Sequence, residues 1–147
     1  MINKGCTMIL VKESTISPES FNKLRIAVGW EEHNEKDISL ALKNTLFVVI
    51  AKETQSNQII GMGRIIGDVG LFYYIQDIIV IPEYQNQGVG MLIMNKIMDY
   101  INHNMKNGLF IGLMAAKGKE AFYEKYGFIK RPNDECGSGM YLEMNKE

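Results

Sequence analysis

Residues 78–90 read IIVIPEYQNQGVG. Four branched aliphatic residues end at a proline, a polar loop follows, and two glycines precede a long amphipathic pattern. In that pattern Val89, Leu92, Ile93, Ile97, Tyr100 and Ile101 recur at helical spacing, with Asn, Lys and Asp on the other face. The stretch is therefore a strand that turns through Pro82 into a loop whose glycines open a helix. The first N–H groups of such a helix lack intrahelical partners, and the helix dipole adds partial positive charge there. Glycine at 88 and 90 lets an extended phosphate approach the backbone without meeting a Cβ. The reading is an anion site suited to a pyrophosphate. The bland alternative is close packing at a strand-to-helix turn, and the strand before and helix after favour binding.

The identity of the phosphate ligand narrows by what is missing. A dinucleotide fingerprint would place a third small residue where Ile93 stands, and a phosphate loop of the Gly-Lys-Ser/Thr type is absent.

Working outward, Thr7 to Lys12 reads as a first strand. Ser17 is a hydroxyl N-cap before Pro18, and Phe21, Leu24, Arg25, Ile26 and Val28 continue a helix that stops near Gly29. A weaker helix runs from about Asp37 to Lys43. TLFVVIAKE (45–53) and QIIGMGRIIGD (58–68) flank TQSN as a hairpin, and LFYYIQDIIVI (71–81) supplies a third antiparallel strand. After the long helix, LFIGLMAA (109–116) reads as a short buried strand. GKEAFYEKYGF (118–128) reads as a helix closed by Gly127, and GMYLEMN (139–145) as a last strand. The order β-α-α-β-β-β-α-β-α-β describes a mixed α/β domain, with a mostly antiparallel sheet flanked by helices.

A chain of 147 residues with 46% hydrophobic content fits one domain, residues 1–147, with a real core. A net charge of −1 implies no bulk attraction to nucleic acid or anionic membrane. Cys6 and Cys136 are far apart without metal-type spacing, which suits a reducing cytosol and predicts no metal site. No apolar run is long enough to span a bilayer, and the apolar part of the N-terminus is too short for a signal peptide. A cytoplasmic location is the expectation, and a homodimer is compatible with it.

The stretch IIVIPEYQNQGVG resembles the signature of the GNAT superfamily of acetyl-CoA-dependent N-acetyltransferases: a strand, Val-x-Pro, then Gln/Arg-x-x-Gly-x-Gly/Ala opening a helix. AFYEKYGF (121–128) looks like the family's Phe/Leu-Tyr-x-x-x-Gly-Phe element, about thirty residues downstream. Together with the strand order, the resemblance covers nearly the whole chain, from Ile9 to Met144. It implies a GNAT-type fold and acetyl-CoA as cosubstrate, without a metal. It places the pyrophosphate on the amides of Gln85, Asn86, Gln87, Gly88, Val89, Gly90 and Met91. It puts Ile78, Ile79 and Val80 along the pantetheine arm, which pairs like an added strand where the cofactor strand splays from the next. Many members carry Asn seven residues before the motif tyrosine, where this chain has Ala116.

Transfer to an amine needs a neutral amine, although a lysine-like ammonium of pKa about 10.4 is almost wholly charged at neutral pH. Asp77, interrupting an apolar run, is a candidate base, directly or through water. Strand alternation turns it away from the face of Ile78 and Val80 unless a bulge re-aims it. The alternative is an Asp satisfied by a loop or by Arg64. Tyr74 or Gln76 would then position a water. Tyr123, in the second family element, is the candidate acid for the leaving thiolate, set against a core aromatic beside Phe122. Trp30, in the segment joining the first two helices, would stack the amine. His33 is a further candidate base, weighed against a surface histidine.

These readings converge on acetyl transfer from acetyl-CoA to a primary amine, of a small molecule, by direct transfer in a ternary complex. A protein lysine or N-terminal acetyltransferase and a non-catalytic CoA-binding sensor are the alternatives.

Overall fold

A computed structural model describes residues 2–4, 7–104 and 106–144, and the chain divides into two compact units, Met1–Gly112 and Leu113–Glu147. In the first unit the elements are β1 (Ile2–Lys4), β2 (Thr7–Glu13), α1 (Pro18–Ala27), α2 (Glu35–Lys43), β3 (Phe47–Glu53), β4 (Ile59–Gly67), β5 (Phe72–Val80), a single 3₁₀ turn (Pro82–Tyr84), α3 (Val89–His103) and β6 (Phe110–Gly112). The strands form one sheet in the order β1-β2-β3-β4-β5-β6. All neighbours are antiparallel except β5 and β6, which run parallel.

Local chemistry sets these boundaries. Ser17 Oγ accepts the Ser20 N–H at 3.1 Å ahead of Pro18, and Asn34 Oδ1 accepts the Lys36 N–H at 2.9 Å to open α2. Between β4 and β5, Asp68 Oδ1 accepts the N–H groups of Gly70, Leu71 and Phe72, all within 3.0 Å. This fixes the hairpin turn and holds the Asp68 carboxyl below the usual carboxylate range.

The two faces of the sheet carry different helices. Arg64 of β4 lies over the Phe21 ring of α1 at 5.7 Å, so that face belongs to α1. The next residue, Gly63, faces α3. A Cβ there would stand 2.8 Å from Ile97 Cδ1 and 2.9 Å from Ile93 Cγ2. Beneath α3, Ile65, Ile93, Met94 and Ile97 are fully buried and Tyr100 stacks on Phe47 at 4.5 Å, while Met62, on the α1 face of β4, is fully buried as well.

The second unit holds α4 (Glu120–Glu124), closed by Gly127 in the left-handed region at φ 87°. Its aromatic side chains cluster: Phe122 meets Tyr123 edge-on at 5.1 Å and Tyr126 at 5.7 Å, and Tyr123 meets Phe128 at 6.3 Å.

Three expectations need correction. β1 precedes the strand expected first. The strand expected at 109–116 pairs only over Phe110–Gly112. The last strand expected at 139–145 is not formed: residues 138–144 have no ladder partner, and Asn145 lies outside the described residues. Apolar alternation signals a pleated surface, yet a strand exists only where a neighbouring ladder supplies backbone partners. Cys6 also lies outside the described residues.

Candidate functional site

The site grows from an irregularity in β5. Met62 pairs with Ile79 and Arg64 with Gln76, so Gly63 faces two residues, Asp77 and Ile78. Asp77 takes the left-handed conformation at φ 53°. This is a β-bulge, and it switches the side-chain parity of the strand. Before it, Tyr73 lies on the α3 face, 6.3 Å from Tyr100. After it, Ile78 reaches that same face: its Cδ1 lies 2.6 Å from where a Gly63 Cβ would stand, so a side chain opposite the bulge would have to displace Ile78 and its neighbours Ile93 and Ile97. Gln76 and Asp77 together turn to the opposite face.

There they line a cavity of about 250 Å³ with Arg25, Arg64, His33 and Asp37. The Asp77 side chain is 2% exposed, and its carboxylate accepts from Arg64 Nε at 2.6 Å and from an Arg25 guanidinium nitrogen at 3.4 Å. Each arginine has a further acceptor. Arg64 donates to Thr45 Oγ1 at 3.0 Å, and Arg25 Nε donates to the Glu31 carbonyl at 2.8 Å. Asp77 is thus held by the partner that the sequence offered as its structural alternative, Arg64, and by a second, Arg25. Asp77 stays on the face opposite Ile78, as alternation expects, and the bulge does not re-aim it towards Ile78 but sets it beside Gln76, pointing to two guanidiniums.

The α1–α2 connection is fixed from below. Buried Asn22 donates to the His33 carbonyl at 2.8 Å and accepts the His33 N–H at 2.9 Å, which holds His33 at the cavity. Trp30 is 38% exposed, takes the Arg25 guanidinium over its ring at 5.3 Å, and does not line the cavity. Tyr74 is half-buried and pairs with Ile66 and Gly112 in the sheet.

The other edge of β5 opens. Its pairing with β6 ends at Tyr74 and Gly112, while β5 continues to Val80. The Ile81 N–H reaches the Ile60 carbonyl at 2.9 Å, so by alternation the backbone groups of Val80 and Ile78 point to the open edge and those of Ile79 point to β4. Ile79 is 1% exposed and belongs to the core. The Val80 carbonyl is taken by Gln85 Nε2 at 2.8 Å.

The same strand leads into the glycine turn. Asn86 and Gly88 are left-handed, at φ 57° and 82°, and α3 begins at Val89 with Gly88 as its N-cap. No side chain caps this terminus. Such alternation of left- and right-handed residues turns successive N–H groups towards one concavity. Gln87 donates from Nε2 to the Glu83 carbonyl at 2.8 Å, which fixes its amide orientation and leaves Oε1 buried without a partner among the described residues. The turn therefore offers donors to phosphate oxygens and one orphan acceptor to an amide or hydroxyl. Pantetheine pyrophosphate carries both, and the residues fit it.

In the second unit, Tyr123 is pressed among aromatic rings, and burial pushes its phenol above the ordinary value of 10.0. At neutral pH it is a protonated donor. Arg25 and Asn22 were missed by sequence reasoning. Arg25 carried a signal, a charge on the predicted apolar stripe of α1, whereas nothing in the sequence separates Asn22 from any helix-surface asparagine.

A sequence profile described as the acetyltransferase (GNAT) domain matches residues 13–147. Among solved structures, the chain is similar to a protein of unknown function, a probable acetyltransferase, from meticillin-resistant Staphylococcus aureus. The two share 34% identity and a TM-score of 0.84, over 93% of this chain and 100% of that one. It is also similar to a GNAT-family acetyltransferase from Streptococcus pneumoniae, at 26% identity and a TM-score of 0.74 over 94% and 100% of the two chains. A relative from Pyropia yezoensis, an uncharacterized N-acetyltransferase ycf52, is 26% identical over 96% of this chain and 84% of its own length. The bulged β5, its open edge and the uncapped glycine turn at its end thus stand within a match that takes in both units, and the chain belongs to the GNAT acetyltransferase family.

Proposed function

We propose that the protein transfers an acetyl group from acetyl-CoA to a primary amine of a small molecule, directly, in a ternary complex. The observation that carries this reading is the continuity of β5: one strand has an open edge over residues 75–80 and ends in the glycine turn. In this reading the backbone of Ile78 and Val80 pairs with the pantetheine arm. The N–H groups of residues 85–91 hold the pyrophosphate, and Gln87 Oε1 accepts from the arm. When bound, acetyl-CoA supplies the activated acyl group.

The acceptor enters the cavity over Gln76 and Asp77, whose volume of about 250 Å³ suits a small amine better than a peptide segment. A base must be reached by the incoming amine or its water, and the Asp77 side chain is 2% exposed with each oxygen turned to an arginine. Asp77 is therefore read as the residue that positions Arg25 and Arg64, with a water taking the proton. Tyr74 and Trp30 remain proposed contacts of the acceptor, on the flank of Gln76 and on Arg25 respectively. Tyr123 donates to the leaving thiolate, a role supported by the burial that keeps its phenol protonated. Direct transfer is supported by the absence of cysteine from β5 and the glycine turn. The two units act as one catalytic domain, which the single profile over residues 13–147 supports.

A cytoplasmic workplace belongs to the same proposal, supported by the exposed free thiol of Cys136. Among the described residues no helix is long and apolar enough to cross a membrane. A protein substrate is the second reading, because a relative from Glycine max, 27% identical over 78% of this chain, is named a histone acetyltransferase. The test is a panel of small primary amines and lysine peptides with acetyl-CoA, followed by free thiol release. Turnover on small amines supports the proposal, and turnover confined to peptides replaces it with the second reading. Silence across both panels, with acetyl-CoA bound, replaces it with a CoA-binding sensor.

A further inference from the structure

The polar residues that line the cavity over Asp77 all belong to the first unit: Arg25, His33, Asp37, Arg64, Gln76 and Asp77. The Arg25 and Arg64 side chains are 13% and 12% exposed, yet a single carboxylate, that of Asp77, is paired with both. The buried side of the cavity therefore keeps one positive charge. A charge taken out of water without a partner is unfavourable, and an anion entering the cavity relieves it.

Both guanidiniums still have donors to give. Arg64 uses Nε and Nη1 on Asp77 and Thr45, and Arg25 uses Nε and Nη1 on the Glu31 carbonyl and Asp77. Neither Nη2 has a partner among the described residues, and neither is sealed from solvent. The two planes are also held by rings, Arg25 over Trp30 at 5.3 Å and Arg64 over Phe21 at 5.7 Å. Planar donor forks fixed in this way suit a carboxylate. A phosphate group, with a charge of about −1.5 to −2 at pH 7, would exceed the single positive charge it meets. The opposite sign is present too. Asp37 lines the same cavity from the first turn of α2, is exposed, and forms no ion pair among the described residues.

We infer that the acceptor is a small amino carboxylate: Arg25 and Arg64 take its carboxylate, and Asp37 attracts its ammonium end on entry. The inference rests on the acceptor occupying this cavity, as proposed above. It also gives the arginines that Asp77 positions a purpose. A plain alkylammonium would bring a second positive charge to the guanidiniums and leave their free donors unpaired.

The test compares matched pairs on the full chain. Binding is read by calorimetry with CoA present, and transfer by free thiol release with acetyl-CoA in its place. The pairs are ω-amino carboxylates from glycine to 6-aminohexanoate against alkylamines with a methyl group in place of the carboxylate, and α-amino acids against their decarboxylated amines. At least one amino carboxylate should bind about tenfold or more tightly than its partner, because the partner leaves donors of the site unpaired. Arg25→Gln should cut that ratio at least about threefold, and Arg25→Lys, which keeps the charge, should retain part of it. Both members of a pair meet the same folded fraction, so the ratio is insensitive to a loss of stability. A binding preference without thiol release supports the inference and removes the transfer reading, and thiol release without a preference does the reverse. The inference is overturned if no amino carboxylate binds, if O-phosphoethanolamine binds more tightly than β-alanine, or if Arg25→Gln leaves the ratio unchanged.

Discussion

Asp77→Asn is the most informative single change, because it removes a charge and little else. Asparagine keeps the shape of the side chain and tolerates the left-handed backbone at φ 53°. What it leaves is two arginine side chains, 12% and 13% exposed, without their shared carboxylate. Removing one partner of a buried ion pair costs roughly 3–5 kcal/mol. The upper end does not apply here: Arg64 keeps Thr45 Oγ1, Arg25 keeps the Glu31 carbonyl, and the asparagine oxygen still accepts one bond. The destabilisation should be about 2–3 kcal/mol, which lowers Tm by about 7–10 °C in a chain of 147 residues. Thermal and urea unfolding followed by circular dichroism reads both quantities, and the acidic limb of the activity profile should persist in the variant. A loss below about 0.5 kcal/mol, together with disappearance of that limb, would refute the positioning role and restore Asp77 as the base.

Other consequences follow from the same contacts. Gly63→Ala sets a Cβ within 2.6–2.9 Å of Ile78, Ile97 and Ile93, and should cost about 1–3 kcal/mol through overpacking, measured by urea unfolding. Because burial raises the Tyr123 pKa, the unfolded chain loses this proton first, so the contribution is intact below about pH 10 and falls as pH rises beyond it. Tyr123→Phe should therefore flatten the alkaline loss of stability in a series of melts. The same variant keeps the ring beside Phe122, so turnover should fall by roughly ten- to a thousandfold with acetyl-CoA affinity little changed, once product release is shown not to limit the rate.

How much of this was legible in the sequence depends on whether a feature is local. Caps and turns are written in neighbouring residues, so Ser17 with Pro18, the TQSN hairpin and the start of α3 beside Gly88 were readable directly. The bulge was not, because it arises from the register between β4 and β5, and the crowding at Gly63 by Ile78, Ile93 and Ile97 appears only once α3 lies across it. The Asp77 site shows the same division. Its charge within an apolar run marked it as a site residue, whereas its second partner, Arg25, comes from a helix fifty-two positions away. The C-terminal segment failed for a third reason: its alternation is genuine, but a strand is a property of two segments.

The central claim is that the glycine turn at the end of β5 is a cradle for the pyrophosphate of acetyl-CoA. Calorimetric titration of acetyl-CoA into the wild-type chain and into Gly90→Val tests it most directly. The account predicts saturable binding at one site per chain and a loss of at least about 1 kcal/mol in the folded variant, roughly a fivefold weaker affinity or more. Equal affinity of the two folded proteins, or no binding by the wild type, would contradict it.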